Sequence, residues 1–189
     1  MIAIRMREAR FTDGAHAEIG PLTLDVPLGA SVVRPCASSH EAAIVARMAA
    51  GLVKARSGSV SIGDYDPTVQ PVHCKRLAAF IGHDPAHLEE RDFERYIGYR
   101  AALCGIDPSA ALAVAGELLE RLAGVHPAFA FPIVGALIAS PMVVVMDRPA
   151  IAFASHIHAT VGARALFSTH VDHAAAAAFC TGGQILHSA

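Results

Sequence analysis

Paired cysteines are missing from this 189-residue sequence. Its four cysteines, Cys36, Cys74, Cys104 and Cys180, lie far apart, and none belongs to a Cys-x-x-Cys motif. This spacing gives no sign of a disulfide framework or of a cysteine-based zinc site. We therefore expect reduced, mostly buried thiols, as in a cytosolic protein, and no metal site.

Strong charge of either sign is also missing. The 15 Lys and Arg residues against 17 Asp and Glu leave a net charge of -2, and the pI is near 6.6. Such a balance gives no electrostatic footprint for nucleic acid, so no nucleic-acid partner is expected. The N-terminal residues 1–8 lack the long apolar core of a secretory signal, which favours a cytoplasmic location.

Apolar residues, in contrast, are abundant. They make up 53% of the chain, and the mean hydropathy is +0.43. The chain is long enough to fold as one domain, residues 1–189, with a sizeable core. A surface of this composition often has a partner that covers it, although the many alanines also raise the hydropathy.

The stretch 128–146 contains no charge and by length alone would suit a membrane span. Pro132 and the pair Ser140-Pro141 interrupt it, and the β-branched run 143–145 leads to Asp147. These helix-breaking and strand-forming residues favour a helix, a turn and a fully buried parallel strand over a membrane span.

Residues 29–58 follow the order strand, turn, helix, turn. A β-branched run follows Gly29, Ser38 and Ser39 offer N-cap hydroxyls, and apolar residues at helical spacing lead to Gly51. A phosphate-binding protein would carry Gly-x-x-x-x-Gly-Lys-[Ser/Thr] in this turn, for contacts to phosphate and Mg²⁺. The arrangement is present here without those residues.

This stretch resembles the opening of ABC-transporter ATP-binding domains. Without a gap, Gly29, Ala50-Gly51-Leu52 and Ser57-Gly58 match the first Gly, the Ala-Gly-Leu and the Ser-Gly of the family pattern. Further along, 142–149 resembles the hydrophobic strand before Asp-Glu-Pro, and 168–170 matches Ser-Thr-His. The resemblance implies an α/β fold: a three-layer P-loop NTPase-like core with an antiparallel N-terminal β subdomain and a helical insertion at about 86–140.

The resemblance also implies that most nucleotide-site residues are replaced. The phosphate loop falls on 36–44, where Ala42 stands at the Lys position and Ala43 at the Mg²⁺ hydroxyl position. Glu41 adds a carboxylate at the helix N-terminus, where it competes with a phosphate. The family's signature motif falls on 123–127 without its glycine pair and its Gln.

The acidic strand end is only half retained. Asp147 keeps the residue that the family uses to hold Mg²⁺ through water, whereas Arg148 replaces the Glu that acts as general base. A guanidinium stays protonated and cannot accept a proton from water. We hypothesise that Arg148 instead forms an internal ion pair with Asp147 or Glu41.

The resemblance leaves a short set of candidate site residues. The catalytic candidates are His83 (the position that contacts Mg²⁺ and the attacking water), Asp147, and His170 (the position that contacts the γ-phosphate). The nucleotide-binding candidates are Phe11 (the adenine-stacking position), Ser38, Ser39 and Asp147. For Phe11 a role in the core or on an edge strand is favoured, and for His83 a role in a junction loop.

Histidines outside that set are assigned no site. His173 follows His170 by three residues, which would suit a two-histidine metal site on one helical face, but a capping or inherited histidine is favoured. His156 and His158 alternate along the chain rather than share a helical face, so we expect no role for them.

Two helices are predicted within 86–122. The first, 86–104, would carry an apolar stripe of Phe93, Ile97, Ala101 and Leu103, and the second would begin at Asp107-Pro108. The resemblance implies a surface that meets a membrane subunit. An ordinary solvated helical hairpin is the alternative.

Together these observations predict a catalytically degenerate ABC-type ATP-binding subunit. It would be a structural or regulatory partner of an integral-membrane permease, of an active ABC ATPase subunit, or of both, as a homo- or heterodimer. It would be cytoplasmic, and peripheral on the inner face of the membrane when docked. No bound cofactor is expected, and residual binding of ATP and Mg²⁺ would be weak.

Two alternatives stay open. One is a divergent ATP-hydrolysing transporter subunit that uses His83, Asp147 and His170, although it would lack most transition-state stabilisation. The other is a protein- or small-ligand-binding module that reuses the cleft at 36–41.

Overall fold

A computed structural model describes residues 1–84, 89–180 and 183–186 of the chain. Within these residues, strands β1 to β8 span Ile2–Phe11, Ile19–Pro27, Ser31–Pro35, Ser57–Ile62, Ala78–Ile81, Val143–Asp147, Ala165–His170 and Gln184–Ile185. Helices α1 to α7 span Ser39–Ala49, Pro71–Leu77, Phe93–Cys104, Pro108–Arg121, Pro127–Leu137, Ala154–Val161 and His173–Phe179. Short 3₁₀ turns, Glu90–Asp92 and Ile151–Phe153, precede α3 and α6.

The strands form two sheets of different kinds. One is antiparallel with the order β2-β1-β4, and the other is parallel with the order β5-β6-β7-β3-β8. Helices α3, α4 and α5 are inserted between β5 and β6. The α/β fold class predicted from the sequence, with its N-terminal antiparallel sheet and helical insertion, is confirmed.

The parallel sheet is covered on both faces. Every residue of β6 and β7 is buried, which explains why β6 appears as an almost uninterrupted apolar run; β7 ends in the buried polar residues Ser168, Thr169 and His170. Val143, Val145 and Phe167 pack with α1 and the antiparallel sheet. The alternate residues Val144 and Leu166 pack with helices α3 to α7. Side chains that alternate between faces thus build two cores and three layers.

Helix α1 is bounded as its sequence predicts. The Ser38 hydroxyl oxygen accepts a hydrogen bond from the Glu41 backbone N–H at 3.1 Å, which makes Ser38 the N-cap. Gly51, with φ +69°, follows the C-cap in the left-handed region that glycine favours. Leu52 lies beyond the helix and is half exposed, so it does not extend the buried face.

The first insertion helix is shorter than predicted. Helix α3 begins at Phe93, and residues 86–88 of the predicted helix lie outside the described residues. Ile97 and Ala101 are buried as expected, whereas Leu103 is 61% exposed. Leu103 comes two positions after Ala101, about 200° round the helix, so it cannot share the buried face. Helix α4 begins as predicted behind the N-cap Asp107.

Two helices were not predicted. Helix α2 buries only Cys74, so it carries no apolar periodicity for the sequence to reveal. Helix α6 contains both His156 and His158, whose alternation had been interpreted against a shared helical face. The last strand, β8, comprises only Gln184 and Ile185 among the described residues.

The uncharged stretch folds as predicted. It forms α5, a turn and the buried parallel strand β6, and Pro132 is accommodated inside α5. Among the described residues, no helix is both long enough and apolar enough to cross a membrane.

Helices α3 and α5 approach closely at Gly135. A Cβ atom added there would lie 2.5 Å from Cε1 of Tyr96. The Nε atom of Arg100 donates a hydrogen bond to the Gly135 carbonyl oxygen at 3.1 Å. The missing side chain at Gly135 therefore allows Tyr96 to pack directly on α5.

We expect Gly135→Ala to lower the free energy of unfolding by about 1–3 kcal/mol, the usual cost of overpacking, in urea titrations. The loss should at least halve in a Tyr96→Ala background, because the clashing atoms are then absent. Gly98→Ala is the matched control in α3, where an added Cβ meets no atom within 4 Å. It should raise stability by up to about 1 kcal/mol. Equal losses from both substitutions would contradict the contact.

Candidate functional site

The carboxyl ends of β3, β7 and β6 bring the sequence-predicted residues together. The strand register pairs Asp147 with Thr169, and Pro35 with His170. The Cys36 backbone N–H donates to the His170 carbonyl oxygen at 2.7 Å. Ligands of parallel α/β sheets bind outside this edge, which therefore defines the candidate site.

Glu41 closes the turn between β3 and α1. Its Oε2 atom accepts a hydrogen bond from the Ala37 backbone N–H at 2.7 Å. Its Oε1 atom lies 3.6 Å from Nη2 of Arg34, whose side chain is only 12% exposed. An internal carboxylate thus already occupies the amide donor and the positive end of the helix that a bound phosphate would use.

Arg148 holds Asp147 with two hydrogen bonds. Its Nε donates to Oδ1 at 2.8 Å and its Nη2 to Oδ2 at 3.1 Å, and Asp147 is 3% exposed. Arg148 has a φ of +47°, which is uncommon for a residue with a side chain. The hydrogen bonds that the guanidinium donates to Asp147 raise its pKa further, so Arg148 stays charged.

Two partners were hypothesised for Arg148, and in the structure it pairs with Asp147. The cation beside Glu41 is instead Arg34, which the sequence analysis did not single out. Arg34 lies on the short strand β3, whose apolar residues drew attention to the core. The strand pattern gave no indication of an ionic partner for Arg34.

His170 is enclosed rather than presented to the cleft. It is 2% exposed, and its ring packs on Phe179 with the centroids 5.0 Å apart. Burial lowers its pKa to about 4, which leaves the ring neutral near pH 7. The His170–His173 pair does not share a helical face, because His170 ends β7 and His173 begins α7.

The remaining candidates have local structural roles. His83 is an exposed loop residue whose Nδ1 lies 3.0 Å from the Arg148 carbonyl oxygen. Phe11 ends β1 and packs, half buried, against the core formed with α1. Ser38 caps α1, and Ser39 is its exposed first residue.

A cleft of about 910 Å³ lies between the β1–β2 loop, β2 and the start of α1. Its wall includes His16, Arg34, His40 and Glu41. Asp13, next to His16, contacts both histidines. Sequence analysis assigned Asp13 no site and missed this cluster, although the Asp-x-x-His spacing of Asp13 and His16 is visible in the sequence.

Several solved structures from ABC transporters are similar to this chain. One, described as the ATP-binding subunit of an ABC transporter, has a TM-score of 0.77 and 18% identity, over 98% of this chain and 86% of that one. CbiO1 from Clostridium perfringens, part of the transporter complex cbiONQ, has a TM-score of 0.76 and 10% identity, over 97% and 84%.

A bacterial Atm1-family ABC exporter with ATP bound has a TM-score of 0.66 and 14% identity, over 90% of this chain and 34% of that one. No protein-family model matches the sequence, and no curated protein matches it. The chain therefore has the ABC ATP-binding-subunit fold, at identities where the fold alone is shared.

Cys36 should be the least reactive thiol. It is buried, and burial together with the nearby Glu41 and Asp147 charges raises its pKa to about 12. At pH 8 roughly one molecule in ten thousand would then carry the thiolate. During iodoacetamide labelling followed by peptide mass mapping, we expect exposed Cys104 to react first and Cys36 last. As the control, labelling in 6 M guanidinium should make the cysteines react at similar rates. Equal labelling rates in the folded protein would contradict the prediction.

Stability should fall as the pH drops from about 6.5 to 4. The unfolded chain protonates His170 near its ordinary pKa of 6.5, whereas burial delays protonation of the folded state to about 4. The folded state therefore loses at most about 3 kcal/mol across this window and none above it. His170→Asn should reduce the loss in urea titrations at several pH values. The control His73→Gln, an exposed histidine of α2, should retain it.

Proposed function

We propose that this chain is a catalytically degenerate ABC-type ATP-binding subunit that acts as a structural or regulatory partner in a transporter complex. The observation that carries the proposal is that both charged positions of the site are paired within the chain. Glu41 accepts the Ala37 amide, and Arg148 holds Asp147.

The first pair opposes phosphate binding. A triphosphate at the start of α1 would have to displace the Glu41 carboxylate from Ala37 or lie beside it. The negative charges of the triphosphate and of the Glu41 carboxylate would repel each other. Ala42 supplies no positive charge to offset this repulsion.

The second pair opposes metal binding and hydrolysis. A Mg²⁺ ion on Asp147 would have to break two hydrogen bonds and would leave the Arg148 guanidinium beside a second cation. Arg148 also cannot deprotonate water, because its pKa is raised above an already high value. Phosphoryl transfer needs both groups, so their pairing supports a subunit without turnover.

The partner would be an integral-membrane permease, an active ABC ATPase subunit, or both. This part of the proposal draws on the cbiO1 structure, which is described as part of a transporter complex. An apolar pocket of about 260 Å³, lined by Ile81, Phe129 and Phe153, offers a surface between the sheet and α5 for contact with such a subunit. Location at the inner face of the membrane would follow from that contact.

The deciding experiment measures Mg-ATP binding by calorimetry, with phosphate release assayed in parallel. We expect no phosphate release, and binding that is absent or in the millimolar range. Turnover that Asp147→Asn and His170→Ala abolish would overturn the proposal in favour of a divergent hydrolase. A tight non-nucleotide ligand displaced by substitutions within 36–41 would overturn it in favour of a ligand-binding module.

Glu41→Gln tests the electrostatic argument directly. The substitution removes the charge but keeps an oxygen that can accept the Ala37 hydrogen bond, so we expect ATP to bind several-fold more tightly than to the natural chain. Glu117→Gln, on the exposed face of α4, is the matched control and should leave affinity unchanged. Identical ATP affinity in all three proteins would show that Glu41 does not oppose phosphate.

A further inference from the structure

Three metal-ligand side chains converge at the edge of the cleft. Asp13 and His16 belong to the loop between β1 and β2, and His40 is the second residue of α1. One potential ligand atom from each lies within 4.8 Å of the other two. Oδ2 of Asp13 is 2.9 Å from Nδ1 of His16 and 3.8 Å from Nε2 of His40.

We propose that Asp13, His16 and His40 bind a divalent transition-metal ion of the Zn²⁺ class. The site would connect the β1–β2 loop to the first turn of α1. This inference does not depend on whether the chain binds ATP.

The spacing of the three side chains fits a tetrahedral ion. Zinc–nitrogen and zinc–oxygen bonds of about 2.0–2.2 Å place tetrahedral ligand atoms about 3.3–3.5 Å apart. The two measured separations from Asp13, 2.9 and 3.8 Å, lie on either side of that range. The third separation, between the two histidine nitrogens, is at most 4.8 Å, so rotation of the imidazole side chains would complete the geometry.

The carboxylate is already oriented for ligation. Oδ1 of Asp13 accepts hydrogen bonds from the backbone N–H groups of Ala15 and His16, each at 3.0 Å. These bonds fix the carboxylate plane and leave Oδ2 facing the two imidazoles. Hydrogen bonds of this kind to a ligand are what hold metal sites in position.

His40 provides an independent indication. Its Nε2 atom is buried, yet it has no hydrogen-bond partner in the described part of the chain. At 3.8 Å, Asp13 is too distant to accept a hydrogen bond from it. A buried nitrogen without a partner is costly, and a metal ion bound there would satisfy it. The His16 and His40 rings are stacked with centroids 3.9 Å apart, so at least one ring must turn to direct both nitrogen lone pairs at one ion.

The ligand set selects the class of ion. Two imidazoles and one carboxylate suit Zn²⁺, Co²⁺, Ni²⁺ or Cu²⁺, whereas Mg²⁺ and Ca²⁺ prefer sites made of oxygen. Three protein ligands leave a fourth coordination position. Because Asp13 and His16 are exposed, that position would be open to water or to a ligand in the cleft.

The test uses the tag-free full chain, treated with EDTA and then dialysed. Titration with ZnCl₂ in the calorimeter should show one site per chain, and MgCl₂ at the same concentrations should give no binding. His40→Gln and Asp13→Asn should each weaken Zn²⁺ binding at least tenfold. The control His73→Gln, an exposed histidine of α2, should bind as tightly as the natural chain.

Thermal unfolding gives a second readout. Zn²⁺ should raise the melting temperature of the natural chain and of His73→Gln but not of His16→Asn, whose exposed loop position leaves the fold intact. Absence of Zn²⁺ binding to the natural chain would overturn the proposal. Binding that survives all three site substitutions would also overturn it and would point to a thiol such as Cys104.

Discussion

A carboxylate buried as deeply as Asp147 is tolerated only beside a cation, and here the next residue provides it. The left-handed backbone at Arg148 places the guanidinium against the preceding side chain. The Arg148 amide is fixed in turn by the Thr169 carbonyl oxygen at the end of β7, 3.0 Å away. The chain therefore satisfies the charge at this edge of the sheet internally, at the place where related folds receive a ligand.

The same solution appears at the start of α1. A helix N-terminus attracts an anion, and Glu41 supplies one from within the helix while Arg34 lies beside it. Both pairs stand on the framework that the parallel sheet provides, since β3, β7 and β6 end side by side. In this strand–turn–helix arrangement, charged side chains of the chain itself thus lie where a bound ligand would place its charges.

Much of the fold could be predicted because periodicity and capping are local properties. The ends of helix α1 and the interpretation of 128–146, which includes the buried strand β6, followed from such signals. Prediction failed where local signals were weak: α2 buries almost nothing, and α6 mixes histidine with alanine. Leu103 was misplaced because its apolar character was counted without its angle round the helix.

The sequence by itself determined that Ala42 and Ala43 supply neither a cation nor a hydroxyl, and that Arg148 supplies no base, in any conformation. It also predicted Asp147 or Glu41 as the partner of Arg148. Only the tertiary structure decided that Arg34 pairs with Glu41 and Arg148 with Asp147. It alone brought His40 close to Asp13. Such contacts depend on how elements that are distant in the sequence pack together. The spacing of residues along the chain does not show which of them lie close together in the fold.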